Sequence, residues 1–263
     1  MTDAGGPLVP EADPRAPGGP PVTSVDVEIP GRSLAIGAHP DDIEFGCGAT
    51  LAKWAAAGCE IHHLVCTAGS TGSWDPGVDR ARLVALRREV QRAAAAALGG
   101  GREVVFLDWP DGELEAGLRQ RWEVAYWIRK LRPEVVLGHD PWRRYRLHPD
   151  HRAAGFLATD GIVAARDPHF FPEQELEPHR PSRLLLWEAD QIDHVEDVSG
   201  FEEAKLTALL AHRSQFRSTM NIDDAGSSED RDAFRRRVLD RLGEHGSLAG
   251  LPAGEGFKLI ERL

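Results

Sequence analysis

A single Rossmann-like α/β domain, with helices on both faces of a mostly parallel sheet, is the fold that this sequence of 263 residues predicts. Short apolar runs alternate with helix-like segments, and repeated strand–helix–strand units imply a parallel sheet. The length suits one domain with a substantial core. The sequence shows no internal repeat and no second domain, so residues 24–263 are assigned to this one domain.

The apolar runs predict strands over residues 33–37, 61–66, 103–107, 134–138, 183–189 and 193–198. Helix-like segments lie between and after them, at 44–57, 80–98, 117–131, 200–212 and 228–242. The second of these helices stops at Gly99-Gly100-Gly101, a strong C-terminal signal. Residues 166–182 contain four prolines and predict a long loop, which is a candidate cover for a functional site.

Composition excludes several classes of protein. The formal net charge is −11, whereas a nucleic-acid-binding face is expected to be basic. No apolar stretch approaches the roughly 20 residues that span a bilayer. Residues 1–23 are rich in Pro, Gly and Ala and lack the features of a signal peptide, which predicts a disordered leader and a cytoplasmic protein. The three cysteines follow no disulfide or CxxC pattern, and Cys47 is expected to face the core.

Two histidine motifs, His-Pro-Asp-Asp at 39–42 and His-Pro-Asp-His at 148–151, carry the clearest chemistry. Each places a histidine three residues from a second ligand-type residue. The apolar run before the first motif puts it at the carboxyl end of a strand, where open α/β sheets bind ligands. Two imidazoles and one carboxylate suit Zn²⁺ and leave a position for water. With Asp41 as an unbound carboxylate beside the metal, the pattern indicates a hydrolase.

The same residues have simpler interpretations. A lone His-Pro-Asp is usually a turn, in which Pro fixes φ and Asp caps the next helix. Two such segments, each between a strand-like and a helix-like run, favour a metal site instead. A Rossmann cofactor domain would show GxGxxG after its first strand, but this chain has only Gly46-Cys47-Gly48 there. Nucleotide-dependent redox chemistry is therefore disfavoured.

In combination, AHPDD at 38–42, HPDH at 148–151 and HRSQ at 212–215 resemble the PIG-L or LmbE-like family of zinc-dependent N-deacetylases. The resemblance runs from about Ser33 to the C-terminus. It implies Zn²⁺, or another divalent metal such as Fe²⁺, and by analogy a homo-oligomer. The site residues that it implies are the metal ligands His39, Asp42 and His151, the general base Asp41, and the transition-state residue His148 with Asp150 beside it.

His148 and Asp150 would act together in this interpretation. As an imidazolium, His148 would stabilise the oxyanion, and Asp150 would raise its pKa and fix its tautomer. A histidine that only caps the loop, and a purely structural aspartate, are the simpler alternatives.

Substrate contacts follow from the resemblance less directly. It places Asp111 near the sugar hydroxyls, although Pro-Asp-Gly is also an ordinary turn. Arg87 is a candidate for an anionic aglycone, on a helix whose charges otherwise suit a solvated face. His212 either contacts substrate or ties the C-terminal helix to the sheet. The segment 139–142 is expected to line the pocket, and Arg146 stands where some family members carry Tyr.

The sequence therefore predicts a metal-dependent hydrolase that removes the N-acetyl group from an N-acetylated amino sugar, an N-acetylglucosaminide. Asp41 would serve as base and His148 would stabilise the oxyanion. The expected partner is a small N-acetylated sugar or glycoconjugate, with no nucleic acid and no membrane span. Two alternatives stay open: an amidase acting on a thiol conjugate or natural-product amide, and a non-catalytic sugar-binding protein on the same fold. The presence of both Asp41 and His148 disfavours the second.

Overall fold

The computed structural model describes residues 21–100, 104–223 and 227–263. Within these ranges one sheet contains eight strands: β1 Ser24–Val25, β2 Arg32–Gly37, β3 Glu60–Thr67, β4 Val104–Trp109, β5 Val135–His139, β6 Arg183–Trp187, β7 His194–Asp197 and β8 Gly254–Glu261. Their order across the sheet is β1-β7-β8-β6-β5-β2-β3-β4. Neighbouring strands are parallel except where β8 pairs with β6 and β7. The mostly parallel sheet that the sequence predicts is confirmed.

Helices cover both faces of the sheet: α1 Asp42–Ala56, α2 Arg80–Ala97, α3 Leu118–Leu131, α4 Pro149–Arg166, α5 Glu202–Ala211 and α6 Ser228–Ser247. Leu34 and Ile36 of β2 pack with α3 and α4, and Ala35 packs with α1, α2 and α5 on the opposite face. This alternation follows the two-residue period of a strand. None of the helices among the described residues is long and apolar enough to cross a membrane.

The predicted elements agree with the observed ones to within about two residues at their ends, except that α6 continues beyond 242 to Ser247. Residues 1–20 of the expected leader, and residue 103, lie outside the described residues. The sequence did not predict β8, because Gly254 and Gly256 are unfavourable in strands. Both glycines permit close packing, since a Cβ on Gly254 would lie 2.6 Å from Cγ1 of Val195 in β7, and a Cβ on Gly256 would lie 2.8 Å from Cδ1 of Ile192.

The loop at 166–182 does not cover the carboxyl edge of the sheet. Helix α4 begins at that edge and runs back for 18 residues, or about 27 Å, to the opposite edge. The loop therefore starts at the amino ends of the strands. The buried Arg129 fixes it there, since its guanidinium donates to the carbonyl oxygens of residues 164, 165, 167, 170 and 171 and to Oε1 of Gln174. This loop is a fixed structural element, and its predicted role as a cover is wrong.

Candidate metal centre

The carboxyl edge of the sheet brings the two histidine motifs together. Strand β2 pairs with β3 on one side and with β5 on the other. The chain thus leaves neighbouring strands in opposite directions, which opens a crevice at this point. His39 follows β2, His139 ends β5, and Asp111 follows β4. Helix α4 begins here with the second motif, so residues more than a hundred positions apart meet in one cluster.

His39 lies at the centre of this cluster and is buried. Its Nε2 lies 3.1 Å from Oδ2 of Asp150 and 3.2 Å from Oδ1 of Asp111. Because carboxylates only accept hydrogen bonds, Nε2 carries a proton. Nδ1 then faces Asp42, with Oδ2 of that residue 3.3 Å away. This arrangement, in which a carboxylate holds the far nitrogen of an imidazole, is the one that orients metal-binding histidines.

The protonation of His39 is coupled to its neighbours. Burial lowers its pKa, but Asp42, Asp111 and Asp150 outweigh that effect and raise the pKa well above its usual value. Without a metal, the second proton on Nδ1 is therefore stabilised. A cation at Nδ1 must displace that proton, so metal binding is expected to release it.

Asp42 presents two oxygens with different partners. Oδ2 accepts a hydrogen bond from the backbone N of His39 at 2.7 Å and lies 3.2 Å from Nε2 of His139. Oδ1 faces Nε2 of His151 at 3.4 Å. Burial raises the pKa of Asp42, yet His151, His139 and His39 bring it well below the usual value for a carboxyl group. Asp42 is therefore a carboxylate, the form that binds metal.

The histidines of the second motif stand side by side at the start of α4. The His148 and His151 rings stack with centroids 4.5 Å apart, and the His39 ring lies 4.7 Å from His148. Burial, together with His151 and His39, lowers the pKa of His148. His148 is therefore a neutral imidazole in this cluster, and the expected imidazolium is not supported.

Asp41 occupies a strained backbone position between the strand and α1. Its φ is 102°, in the left-handed region that non-glycine residues rarely adopt. Oε1 of Gln91 accepts a hydrogen bond from its backbone N at 3.0 Å. Burial raises the pKa of Asp41 to about 6, with Asp42 adding to the increase and Arg87 opposing it. A carboxylate with a pKa near neutrality is suited to accept and return a proton.

The donor atoms can hold a divalent cation in more than one way. Three overlapping groups each place one donor per residue within 4.8 Å of one another: His39, His148 and His151; Asp42, His139 and His151; His39, Asp111 and Asp150. The expected set of His39, Asp42 and His151 takes two residues from each of the first two groups. This set is not itself one of the three groups, but Asp42 joins its two imidazoles, with Oδ2 3.3 Å from Nδ1 of His39 and Oδ1 3.4 Å from Nε2 of His151. Two imidazoles and one carboxylate suit a zinc-type cation.

Asp150 and Asp111 do not have the surroundings that the sequence predicted. Asp150 bonds to His39 rather than fixing the tautomer of His148, and it also accepts from the backbone N of Gly112 at 2.7 Å and of Leu114 at 3.2 Å. The first turn of α4 directs the side chain of Asp150 into the buried interior, where His39 and these two backbone N–H groups are its donors. Asp111 accepts from the backbone N of Thr71 at 3.0 Å and contacts His39. Both carboxylates are therefore taken up by His39 and the backbone.

Arg87 and His212 lie behind the centre, and neither is placed to contact substrate. The guanidinium of Arg87 is buried and donates to the carbonyl oxygens of Gly69 and Pro40. His212 is fully buried, and its Nε2 lies 3.2 Å from Oε2 of Glu44 in α1. Of the two roles proposed for His212, tying the C-terminal part of the chain to the fold is the one that these contacts support. Helix α2 turns Arg87 inward, so the solvated-face interpretation of this arginine is wrong as well.

His139 and Gln91 received no specific role in the sequence analysis. His139 was expected only to line the pocket, but it contacts Asp42 directly. Gln91 links Asp41 to Glu44, since its Nε2 donates to Oε1 of Glu44 at 2.7 Å. His139 comes directly after the predicted strand at 134–138, at the same edge of the sheet as His39, and that position was the available signal. Nothing in the local sequence distinguishes Gln91. Cys47 is buried in the core, as predicted.

Comparison with known proteins agrees with the family resemblance. A sequence profile described as GlcNAc-PI de-N-acetylase (PIG-L) matches residues 34–162. Diacetylchitobiose deacetylase of Thermococcus kodakarensis is 37% identical over 188 residues, which cover 70% of either chain. A 1D-myo-inositol 2-acetamido-2-deoxy-alpha-D-glucopyranoside deacetylase of Mycolicibacterium vanbaalenii is 30% identical, over 70% of this chain and 80% of that protein.

A solved structure extends the agreement to the fold. N,N'-diacetylchitobiose deacetylase from Pyrococcus horikoshii, in complex with an inhibitor, superposes with a TM-score of 0.79 at 28% identity, over 88% of this chain and 84% of that one. The fold and the two histidine motifs define a metal-dependent deacetylase of the LmbE-like type. This chain belongs to the PIG-L family.

Proposed function

We propose that this protein hydrolyses the N-acetyl group of an N-acetylglucosaminide, with a zinc ion held by His39, Asp42 and His151. The observation that carries the proposal is the orientation of the His39 ring. Asp150 and Asp111 hold its Nε2 proton, and Nδ1 is directed at Asp42 next to His151. A zinc ion bound there would supply a water of lowered pKa, about 7, and would polarise the amide carbonyl.

Asp41 would move the proton in this reaction. It is adjacent to the ligand Asp42, and its carboxylate accepts no side-chain hydrogen bond among the described contacts, although Oδ2 forms an ion pair with Nη2 of Arg87 at 3.7 Å. As water attacks the amide carbon, Asp41 accepts a water proton. It then returns the proton to the nitrogen as the C–N bond breaks, which releases the free amine and acetic acid, and the acid ionises to acetate in water. Because the same group gives back the proton that it takes, its pKa near 6 suits both steps.

His148 would act at the amide oxygen. Its ring stands at the exposed side of the cluster, stacked on His151, so it is open to a substrate carbonyl that approaches from solvent. A neutral ring N–H donates to the oxygen as negative charge develops there, and this contact strengthens toward the transition state. No proton transfer from His148 is required.

The sugar-binding surface would be formed by the loops after β3 and β5. These loops carry Trp74, Trp142 and Tyr145, which are 81%, 57% and 81% exposed. Aromatic rings offer flat apolar faces with polar edges, which suits the faces of pyranose rings. The relatives named above are deacetylases of GlcNAc-containing small molecules, which supports this substrate class.

A cytoplasmic location and a homo-oligomer stay predictions. Light scattering of the purified protein tests the oligomeric state.

Acetate release from a panel of N-acetylglucosaminides that differ in the aglycone tests the proposed function. We expect release that stops with a chelator and returns with Zn²⁺. Asp41→Asn is the matched control, because the amide keeps the size of the side chain but cannot accept the proton. This variant is expected to keep its metal and to lose about 10²–10⁴-fold in turnover. Hydrolysis of N-acylated thiol conjugates alone would favour the amidase alternative, and sugar binding without any release would favour a non-catalytic protein.

A further inference from the structure

His139 contacts the centre although neither motif contains it. It is the last residue of β5 and is almost fully buried, at 1% exposure. Its Nε2 lies 3.2 Å from Oδ2 of Asp42, and its ring stacks on that of His151 at 4.4 Å. Distance alone would allow His139 to be a metal ligand, since Asp42, His139 and His151 form one of the three close groups.

The partners of Nδ1 decide whether Nε2 of His139 carries a proton, as a hydrogen-bond donor to Asp42, or a lone pair, as a metal ligand. Nε1 of Trp187 lies 3.0 Å from Nδ1 of His139, and Nη1 of Arg146 lies 3.2 Å from it. Indole and guanidinium nitrogens only donate hydrogen bonds. Two donors therefore meet at Nδ1, which must offer a lone pair. The ring proton of neutral His139 is then on Nε2, directed at Asp42.

A doubly protonated His139 fits these contacts poorly. A proton on Nδ1 would meet the N–H of Trp187 at 3.0 Å, whereas the nearest carboxylate oxygen, Oε2 of Glu188, is 3.6 Å away. Oε2 of Glu188 instead accepts from Arg146 at 2.7 Å.

The Nε2–H of His139 determines which oxygen of Asp42 is free to bind a metal. Its Oδ2 accepts from the backbone N of His39 and from Nε2 of His139, so both lone pairs of this oxygen are occupied. Oδ1 keeps its lone pairs and faces His151. Once a cation displaces the Nδ1 proton of His39, the two histidines contact the same carboxylate with opposite tautomers: His39 turns a bare nitrogen toward Asp42 and the cation, and His139 turns an N–H toward Asp42.

We propose that His139 is a positioning residue that holds Oδ2 of Asp42 through its Nε2–H and leaves Oδ1 as the oxygen that binds the metal. The inference rests on the proposed function, because it takes Asp42 as a ligand. Trp187 and the Arg146–Glu188 pair fix the tautomer. This also gives a role to Arg146, which stands where some family members carry Tyr: its side chain turns away from the substrate pocket and supports His139.

Metal affinity of His139 variants tests the proposal, measured by competition with a chromophoric chelator. The amide nitrogen of His139→Gln can replace Nε2–H as a donor but is a poor zinc ligand, whereas His139→Ala removes the donor. We expect His139→Ala to weaken zinc binding about 10–100-fold, the usual effect of losing such a contact. His139→Gln should stay within about threefold of the wild type, and denaturant unfolding of the metal-free variants controls for folding.

Each other outcome of this titration would overturn either the positioning role of His139 or the proposed function. Equal losses in both variants would make His139 a ligand. Equal affinity in all three proteins would leave it without a role. A wild-type protein that binds no zinc would overturn the proposed function and this inference together.

The ¹⁵N chemical shifts of the His139 ring in the zinc-loaded protein give a second test. We expect a protonated Nε2 and a bare Nδ1, and the opposite tautomer or a metal-bound Nε2 would overturn the proposal.

Discussion

The carboxylate of Asp150 holds the Nε2 proton of His39, at 3.1 Å, although 111 positions separate the two residues. This contact links the two histidine motifs and sets which nitrogen of His39 is available to a metal. Asp150 is fully buried and accepts two further backbone hydrogen bonds from the loop after β4. It therefore fixes that loop and the His39 ring together.

Asp150→Ala is expected to weaken zinc binding about 10–100-fold, because His39 loses the contact that fixes its tautomer. Asp150→Asn should be less affected, since its amide oxygen can still accept from Nε2. Chelator competition measures both. If Asp150 instead acted on His148, the alanine variant would bind zinc normally and would change only the turnover.

His148→Ala is expected to lower kcat by about 10²–10³-fold while KM changes little, since the N–H of His148 is needed mainly as charge develops on the amide oxygen. Steady-state kinetics with an N-acetylglucosaminide separates the two constants. The variant should retain its zinc. Loss of the metal would make His148 a ligand, and a large rise in KM alone would make it a substrate-binding residue.

The backbone conformation at Asp41 is expected to lower the stability of the fold, although the proposed activity needs the aspartate there. At a φ of 102°, glycine avoids the steric cost that any side chain incurs. Asp41→Gly should therefore be more stable than Asp41→Ala by about 1 kcal/mol in denaturant unfolding of the metal-free protein. Both variants lack the carboxylate, so the difference isolates the backbone. Equal stabilities would show that this position is not strained.

From the surroundings of Glu196 we expect the fold to lose stability in acid, independently of the metal centre. Burial raises its pKa, but hydrogen bonds from His194, Lys53 and the backbone N of Val27 bring the pKa down to about 2. A depressed carboxyl pKa stabilises the fold above the unfolded-state pKa of about 4.5, and this contribution is lost as pH falls toward 2.

Replacement of this residue gives the corresponding measurement. Glu196→Gln should lower the free energy of unfolding at pH 7 by about 3 kcal/mol, and the difference from the wild type should shrink below pH 4.5. A difference that stays constant from pH 7 to pH 3 would contradict the assigned cause.

The sequence predicts most of the sheet, because runs of apolar residues mark the strands. It also predicts that the two motifs meet, because the carboxyl ends of parallel strands lie at one edge of the sheet. It predicts tertiary partners poorly. Asp150 follows His148 by two residues, so the sequence pairs them, but the fold turns Asp150 inward to His39. Arg87 lies on a helix rich in charge, yet its side chain is buried among loop carbonyls. Such contacts depend on the packing of distant segments, which no local pattern encodes.

Anomalous diffraction at the zinc edge, from crystals soaked in zinc, would locate the metal and its ligands. We expect one peak per chain, bounded by Nδ1 of His39, Oδ1 of Asp42 and Nε2 of His151, with Nε2 of His139 outside the coordination shell. A peak between Asp111 and Asp150, a peak that includes His139 or His148 among its ligands, or no peak at all would contradict this expectation.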